Sequence, residues 1–251
     1  MRKLLLLALL TLPAFSADWD GYRVRRLITV NSGQITGTLT NWTAFYSSMW
    51  TDLPTSTNTP VACSCAAAIS VPPDFIITDT TGTKVAGWEF ERYNAGNGEF
   101  ALHFFAASIA NGSQFYAAYG KLSVTTIQTT PSSAWASSYK AVYHQGSPTT
   151  ISTADSTVGA NNLTNTGSMP AARGIAWGGG SGNGSSTYMR IASAPVSAYP
   201  LTISVWMNTN SGGGVVTGTH NSASAQYNGF HIFYGTGQVT VAQVTVTCPV
   251  P

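Results

Sequence analysis

Residues 74–94 read Asp-Phe-Ile-Ile-Thr-Asp-Thr-Thr-Gly-Thr-Lys-Val-Ala-Gly-Trp-Glu-Phe-Glu-Arg-Tyr-Asn. Apolar and polar residues alternate on both sides of Thr80-Thr81-Gly82-Thr83, a turn sequence in which glycine supplies the positive φ. The pattern predicts a hairpin of two antiparallel strands, each with one buried face. It places the chain in the all-β class, as part of a β-sandwich.

Working outward, Tyr22 to Val30, Asn41 to Met49, Phe115 to Tyr119 and Leu122 to Ile127 read as further strands, and Pro54 to Pro60 as a Ser/Thr/Pro loop. Helix signals are nearly absent. A first module is expected to end near Ile127, followed by a short polar linker at 128–134 with Pro131 in its middle. A second module, 135–251, opens with Trp135 and an expected strand, Tyr139 to His144. Its other expected strands are Tyr188 to Ile191, Leu201 to Asn208, His231 to Tyr234 and Val239 to Val246. Alternation in Leu201 to Asn208 buries Leu201, Ile203, Val205 and Met207 and leaves Trp206 on the other face. Gly178 to Gly184 holds five glycines with no lysine after them, so it lacks a phosphate-cradling loop and reads as a mobile connection.

The first residues bound where the chain works. Arg2 and Lys3, an apolar run from Leu4 to Leu12, Pro13 and the small residues around Ser16 form a secretory signal peptide, 1–16. That run is too short to span a bilayer, and no later one is long enough, so the expectation is a secreted or cell-surface chain without a transmembrane segment. Two of the 11 basic residues lie in this leader, and the remaining nine balance nine acidic ones. Electrostatic attraction to nucleic acid is therefore not expected. Only 8% of residues are charged, against roughly 25% in ordinary soluble domains. Cys63, Cys65 and Cys248 make an odd count, and a bridge across two positions of an extended strand is disfavoured, so Cys63 and Cys65 read as small buried hydrophobes.

Several of these residues carry a resemblance. Trp19 to about Lys121, including Tyr22-Arg23, Ile28-Thr29-Val30, the 74–94 segment and Phe115 to Gly120, resembles the bacterial module called domain of unknown function 2341. Tyr139 to His144, Asp155-Ser156-Thr157 with Asn162 and Gly167, Gly174 to Trp177, and Leu201 to Asn208 resemble the opening half of a concanavalin A-like (LamG-type) jelly roll. The resemblance implies an N-terminal β-sandwich followed by a partial jelly roll. Too few residues follow the linker for all the strands of that fold. The second module is thus expected to be truncated at its C-terminus, or to be a minimal sandwich whose open edge pairs with another chain.

Candidate chemistry is sparse. Glu89 and Glu91 project from one face of a strand, a spacing compatible with the paired carboxylates of a retaining glycosidase. The simpler reading is a solvated strand face with Arg92 nearby. His103, His144, His220 and His231 have no metal-ligand spacing and read as strand residues with local hydrogen bonds. Asp155, Asn161 and Asn162 offer oxygen atoms on one loop, a weak set for calcium against the alternative of a loop held by side-chain to backbone bonds. Flat rings that stack on sugars are better binding candidates, namely Tyr188, Trp206, Tyr227 and Tyr234. The expected function is non-catalytic binding of polysaccharide or cell-surface glycan without a cofactor. The alternative is a structural or adhesin-type segment that contacts other protein chains.

Overall fold

The computed structural model describes residues 17–65, 67–175, 177–192, 195–196, 202–206 and 208, and the backbone of Gly214–Val215, Asn228–Gly235 and Gln238–Thr245. The expected leader, Cys248 and Tyr227 lie outside these residues. The strands of the first half are β1 (Val24–Thr29), β2 (Thr38–Met49), β3 (Val61–Ala62), β4 (Ser70–Val71), β5 (Ile76–Thr78), β6 (Trp88–Asn94), β7 (Glu99–Ala110) and β8 (Gln114–Tyr119), with a single helical turn, α1 (Leu53–Ser56), after β2. They form two antiparallel three-stranded sheets, ordered β1-β8-β5 and β2-β7-β6, beside the short β3-β4 pair. The protein is an all-β sandwich in this half.

The segment that decides the fold is bent differently from the expected hairpin. Near the turn, Thr78 bridges Lys84 and the Val85 N–H donates to the Ile77 carbonyl (3.0 Å). The Asp79 carboxylate accepts the Thr81 and Thr83 N–H groups (2.8 and 3.0 Å), with Gly82 at φ +90°. Beyond that point the two arms separate. Ile76–Thr78 pairs with β8 in the first sheet, whereas Trp88–Asn94 pairs with β7 in the second. Alternation specifies which side chains are buried, and two strands with apolar faces satisfy it equally by packing across the sandwich or by lying side by side.

The core fills the gap between the sheets. Phe75 and Ile77 beside β8, Phe90 on β6, Phe100, Leu102 and Phe104 on β7, and Tyr119 on β8 are all buried. Phe75 sits edge-on to Phe90 (5.0 Å) and Phe100 (6.1 Å), so one ring joins the layers. Each side chain of this size contributes about 1.5–3 kcal/mol on burial.

Several expected strands are not strands. Leu122 to Ile127 is irregular, because the Asn58 amide donates to the Leu122 and Val124 carbonyls (2.9 and 2.7 Å) and competes with any ladder. Tyr139 to His144 is also irregular, and its Val142 N–H donates to the Asp155 carboxylate (2.9 Å). Within Pro54 to Pro60 the start is helical, as part of α1. In the second half, β9 (Thr164–Thr166) pairs with β12 (Tyr188–Arg190), and β10 (Ala171–Arg173) pairs with β11 (Gly178–Gly180). The glycine run read as a loop therefore contributes a strand. Residues 202–206 form no strand, and Val205, expected to be buried, is 46% exposed. Leu201 and Met207 lie outside the described residues. The final sheet is β13 (Gly214–Val215), β14 (Asn228–Gly235) and β15 (Gln238–Thr245).

Cys63 and Cys65, read as unpaired thiols, are joined by a disulfide around Ser64. Their Cα atoms are 5.1 Å apart, closer than the roughly 6.6 Å of two steps along an extended strand. The chain has left β3 at this point, which removes the objection based on strand geometry. No helix among the described residues is long and apolar enough to cross a membrane.

Asp74 is fully buried just before β5. Burial raises its carboxyl pKa, opposed by the N–H groups of Asn58 (3.0 Å) and Gly120 (3.1 Å) that donate to its two oxygens. Replacing it leaves two amides without acceptors. Asp74→Ala is expected to cost about 1–3 kcal/mol in urea unfolding, and an unchanged midpoint would show that these bonds do not hold the strand ends.

Candidate functional site

The outer face of the β2-β7-β6 sheet carries a polar cluster built on Glu89, Glu91 and His103. Glu89 pairs with His103 in register, and an irregularity between Phe90 and Arg92 sets Arg92 opposite Ala101. Strand alternation directs Glu89, Glu91 and His103 outward, while Phe90 and Leu102 enter the core. The bulge places Arg92 on the outer side as well, 2.6 Å from Glu99.

This face is covered rather than solvated. The segment after β8 returns across it, with a 3₁₀ turn at Pro131–Ala134. Thr129 pins the approach by donating to the Trp88 carbonyl and accepting the Trp88 N–H, both at 2.8 Å. Gly87 makes room, since a Cβ there would lie 2.5 Å from the Ser133 carbonyl carbon. Buried Thr43 on β2 donates to the Ala134 carbonyl (2.9 Å) and accepts the Ala136 N–H (3.0 Å). The stretch read as a polar linker is thus held along its length against the sheet.

The consequence is a closed network. Trp135 Nε1–H donates to Glu89 Oε2 (2.7 Å) and the Ser156 hydroxyl donates to Oε1 (2.9 Å). His144 reaches both carboxylates, with Nε2 3.3 Å from Glu89 and Nδ1 3.4 Å from Glu91. Glu91 also meets His103 Nε2 at 3.1 Å. The Glu89 and His144 side chains are only 0% and 4% exposed, so they are out of reach of a substrate, whereas Glu91 and His103 remain 16% and 18% exposed. The two carboxylates read as a solvated strand face are in fact partners in this network. The histidine bonds are not local either, spanning 12 positions for His103 and 55 for His144.

Rings continue the site across the surface. Phe45 lies 5.1 Å from His103, His103 lies 4.7 Å from Trp135, and Trp135 lies 5.2 Å from Tyr139. The two ends are open, with Phe45 58% and Tyr139 36% exposed. Sequence reading missed this row because β2·β7 pairing and the returning segment assemble it.

Asp155, Asn161 and Asn162 do share one loop. The Asp155 carboxylate accepts the N–H groups of Val142 (2.9 Å), Thr157 (2.9 Å) and Asn161 (2.8 Å) and the Thr157 hydroxyl (2.9 Å). Asn162 Oδ1 accepts the Asp155 N–H (2.9 Å), and the Asn161 amide donates to the Lys140 carbonyl (3.0 Å). These oxygens organise the loop that aims Ser156 at Glu89, so calcium would have to displace bonds already made, and the residues do not fit it. Among the described residues no group of three or more His, Cys, Asp or Glu is arranged to hold a metal ion.

The aromatic candidates lie elsewhere. Tyr188 on β12 is 46% exposed, and Trp206 is 77% exposed. Tyr227 lies outside the described residues, and of Tyr234 only the backbone is described, paired with Gly214 and Val239. Comparison with protein-family models, with curated proteins and with solved structures finds no match to this chain.

Burial works to lower the His144 pKa, but the carboxylates of Glu89 and Glu91 outweigh it and push it up from 6.5 to about 9. Burial likewise works to raise Glu91, and its bonds to His103 and His144 instead hold it well below the usual carboxylate range. The His144 contribution to stability is therefore complete below pH 6.5 and is lost as pH rises through about 9. That of Glu91 is complete above the ordinary value of 4.5 and is lost as pH falls below it. Urea unfolding should show stability falling between about pH 6 and about pH 10, and His144→Gln should flatten that decline. Parallel pH profiles for the two proteins would remove the ion pairs as its cause.

Proposed function

We propose that this chain is an exported, non-catalytic binding module that recognises polysaccharide or cell-surface glycan. The observation that carries the reading is the row Phe45, His103, Trp135 and Tyr139, open at both ends and bordered by partly exposed Glu91. Flat rings stack on the apolar faces of sugars while neighbouring polar atoms bond their hydroxyls, and aromatic side chains suit such half-wet sites. Glu91 and His103 supply those polar atoms. The inaccessibility of Glu89 argues against its use with Glu91 as a hydrolytic pair. A charge-poor surface and the sequence of the first 16 residues support the extracellular setting.

Trp206 and Tyr188 are each exposed as well, and either ring is available for the same chemistry. A second reading, contact with other protein chains, is supported by the edge of β2, which no other described strand pairs. A glycan-array screen with the purified chain tests the first. Selective binding that is lost in Phe45→Ala or Tyr139→Ala, with an unchanged melting temperature, is expected. Binding lost only in Trp206→Ala would move the site to that ring, and a folded protein that binds nothing on the array would overturn the glycan reading.

A further inference from the structure

The sandwich has four sheet edges, and they are treated differently. The β1 edge carries Arg25 and Arg26. The β5 edge is three residues long and fully buried. At β6, Thr129 occupies the N–H and the carbonyl of Trp88. These are the ordinary ways of blunting an edge: charge, shortness and cover.

The β2 edge has none of them. From Thr38 to Met49 its 12 residues contain no charged residue and no proline, and among the described residues it pairs on one side only, with β7. Trp42, Phe45 and Met49 are 43%, 58% and 57% exposed. From Trp42 to Met49 the pairing to β7 runs without a break, so the free side presents a regular row of backbone donors and acceptors. Such a row is matched by another extended strand.

We propose that this strand is a second copy of β2, paired antiparallel about a two-fold axis. An uncharged run meets its own reverse without repulsion, whereas a charged partner strand would find no counter-charge between Thr38 and Met49. Two-fold pairing requires facing residues to share a sheet face, and a register centred on Phe45 meets this condition. Phe45 then faces Phe45 of the copy, Thr43 faces Ser47, and Trp42 faces Ser48. The three strands from each copy become one continuous sheet, and its outer face brings two aromatic rows side by side. This inference stands on the strand edge and does not need the glycan reading.

Sedimentation velocity over a range of concentrations, combined with amide hydrogen exchange, tests it. The expected result is a reversible dimer in which amides of residues 42–49 gain protection as concentration rises. Phe45→Lys sets like charges directly opposite each other and should weaken association about tenfold or more. Ser47→Lys, also at an exposed position, should weaken it in the same direction, which guards against a folding effect of one variant. Leu122→Lys, at a 52% exposed position on the turn after β8, should leave it unchanged. A monomer at every concentration, or association that ignores both β2 variants and leaves β2 amides unprotected, would overturn the proposal. So would a chain that is monomeric alone but pairs β2 with a strand of another protein.

Discussion

The carboxylate of Glu89 sets the constraint around which the second sheet and its cover are arranged. A lone carboxylate removed from water carries a penalty of several kcal/mol, and removing one partner from a buried pair typically costs about 3–5 kcal/mol. Trp135, Ser156 and His144 all approach it. The three belong to a stretch with little regular structure, so polar bonds to the sheet substitute for a ladder. Thr129 and Thr43 fix its path, and the loop organised by Asp155 completes it. The buried charge thereby specifies where an otherwise irregular segment lies.

That arrangement explains how a chain with few ions can hold an aromatic surface in place. Trp135 is buried against His103, and its indole N–H is committed to Glu89. The inner rings of the row are thus fixed by hydrogen bonds, and the outer rings, Phe45 and Tyr139, stay exposed. A preorganised surface of this kind loses little side-chain freedom on binding.

The all-β sandwich class was legible in the sequence, because period-two alternation survives whichever strand lies beside which. In 74–94 the buried faces follow from Phe75, Ile77, Trp88 and Phe90, but the choice of sheet depends on β7 and β8 elsewhere in the chain. Glu89 and Glu91 were legible as neighbours on one face. What covers them was not, since Trp135, His144 and Ser156 come from 46, 55 and 67 residues away. Apolar-polar patterns misled where side chains took the backbone's partners, as Asn58 does near Leu122 and Asp155 does at Val142. Trp206 is exposed, but not by alternation, since residues 202–206 form no strand and Val205 is exposed beside it, and Phe45 became a candidate only once β2 lay beside His103.

The crossing of residues 79–87 between the two sheets also lengthens the sequence separations over which those sheets close. Because the arms of this segment do not pair with each other beyond Val85, neither sheet can be completed locally. The first sheet waits for β8 to reach β1, with Val24 meeting Tyr119, and loop closure over such separations slows folding. Without residues 129–156 the Glu89 side chain would face water, since Trp135, His144 and Ser156 are the groups that cover it. The segment that encloses it adds no strand to either sheet, so its place depends on side-chain bonds to a surface that the two sheets supply together.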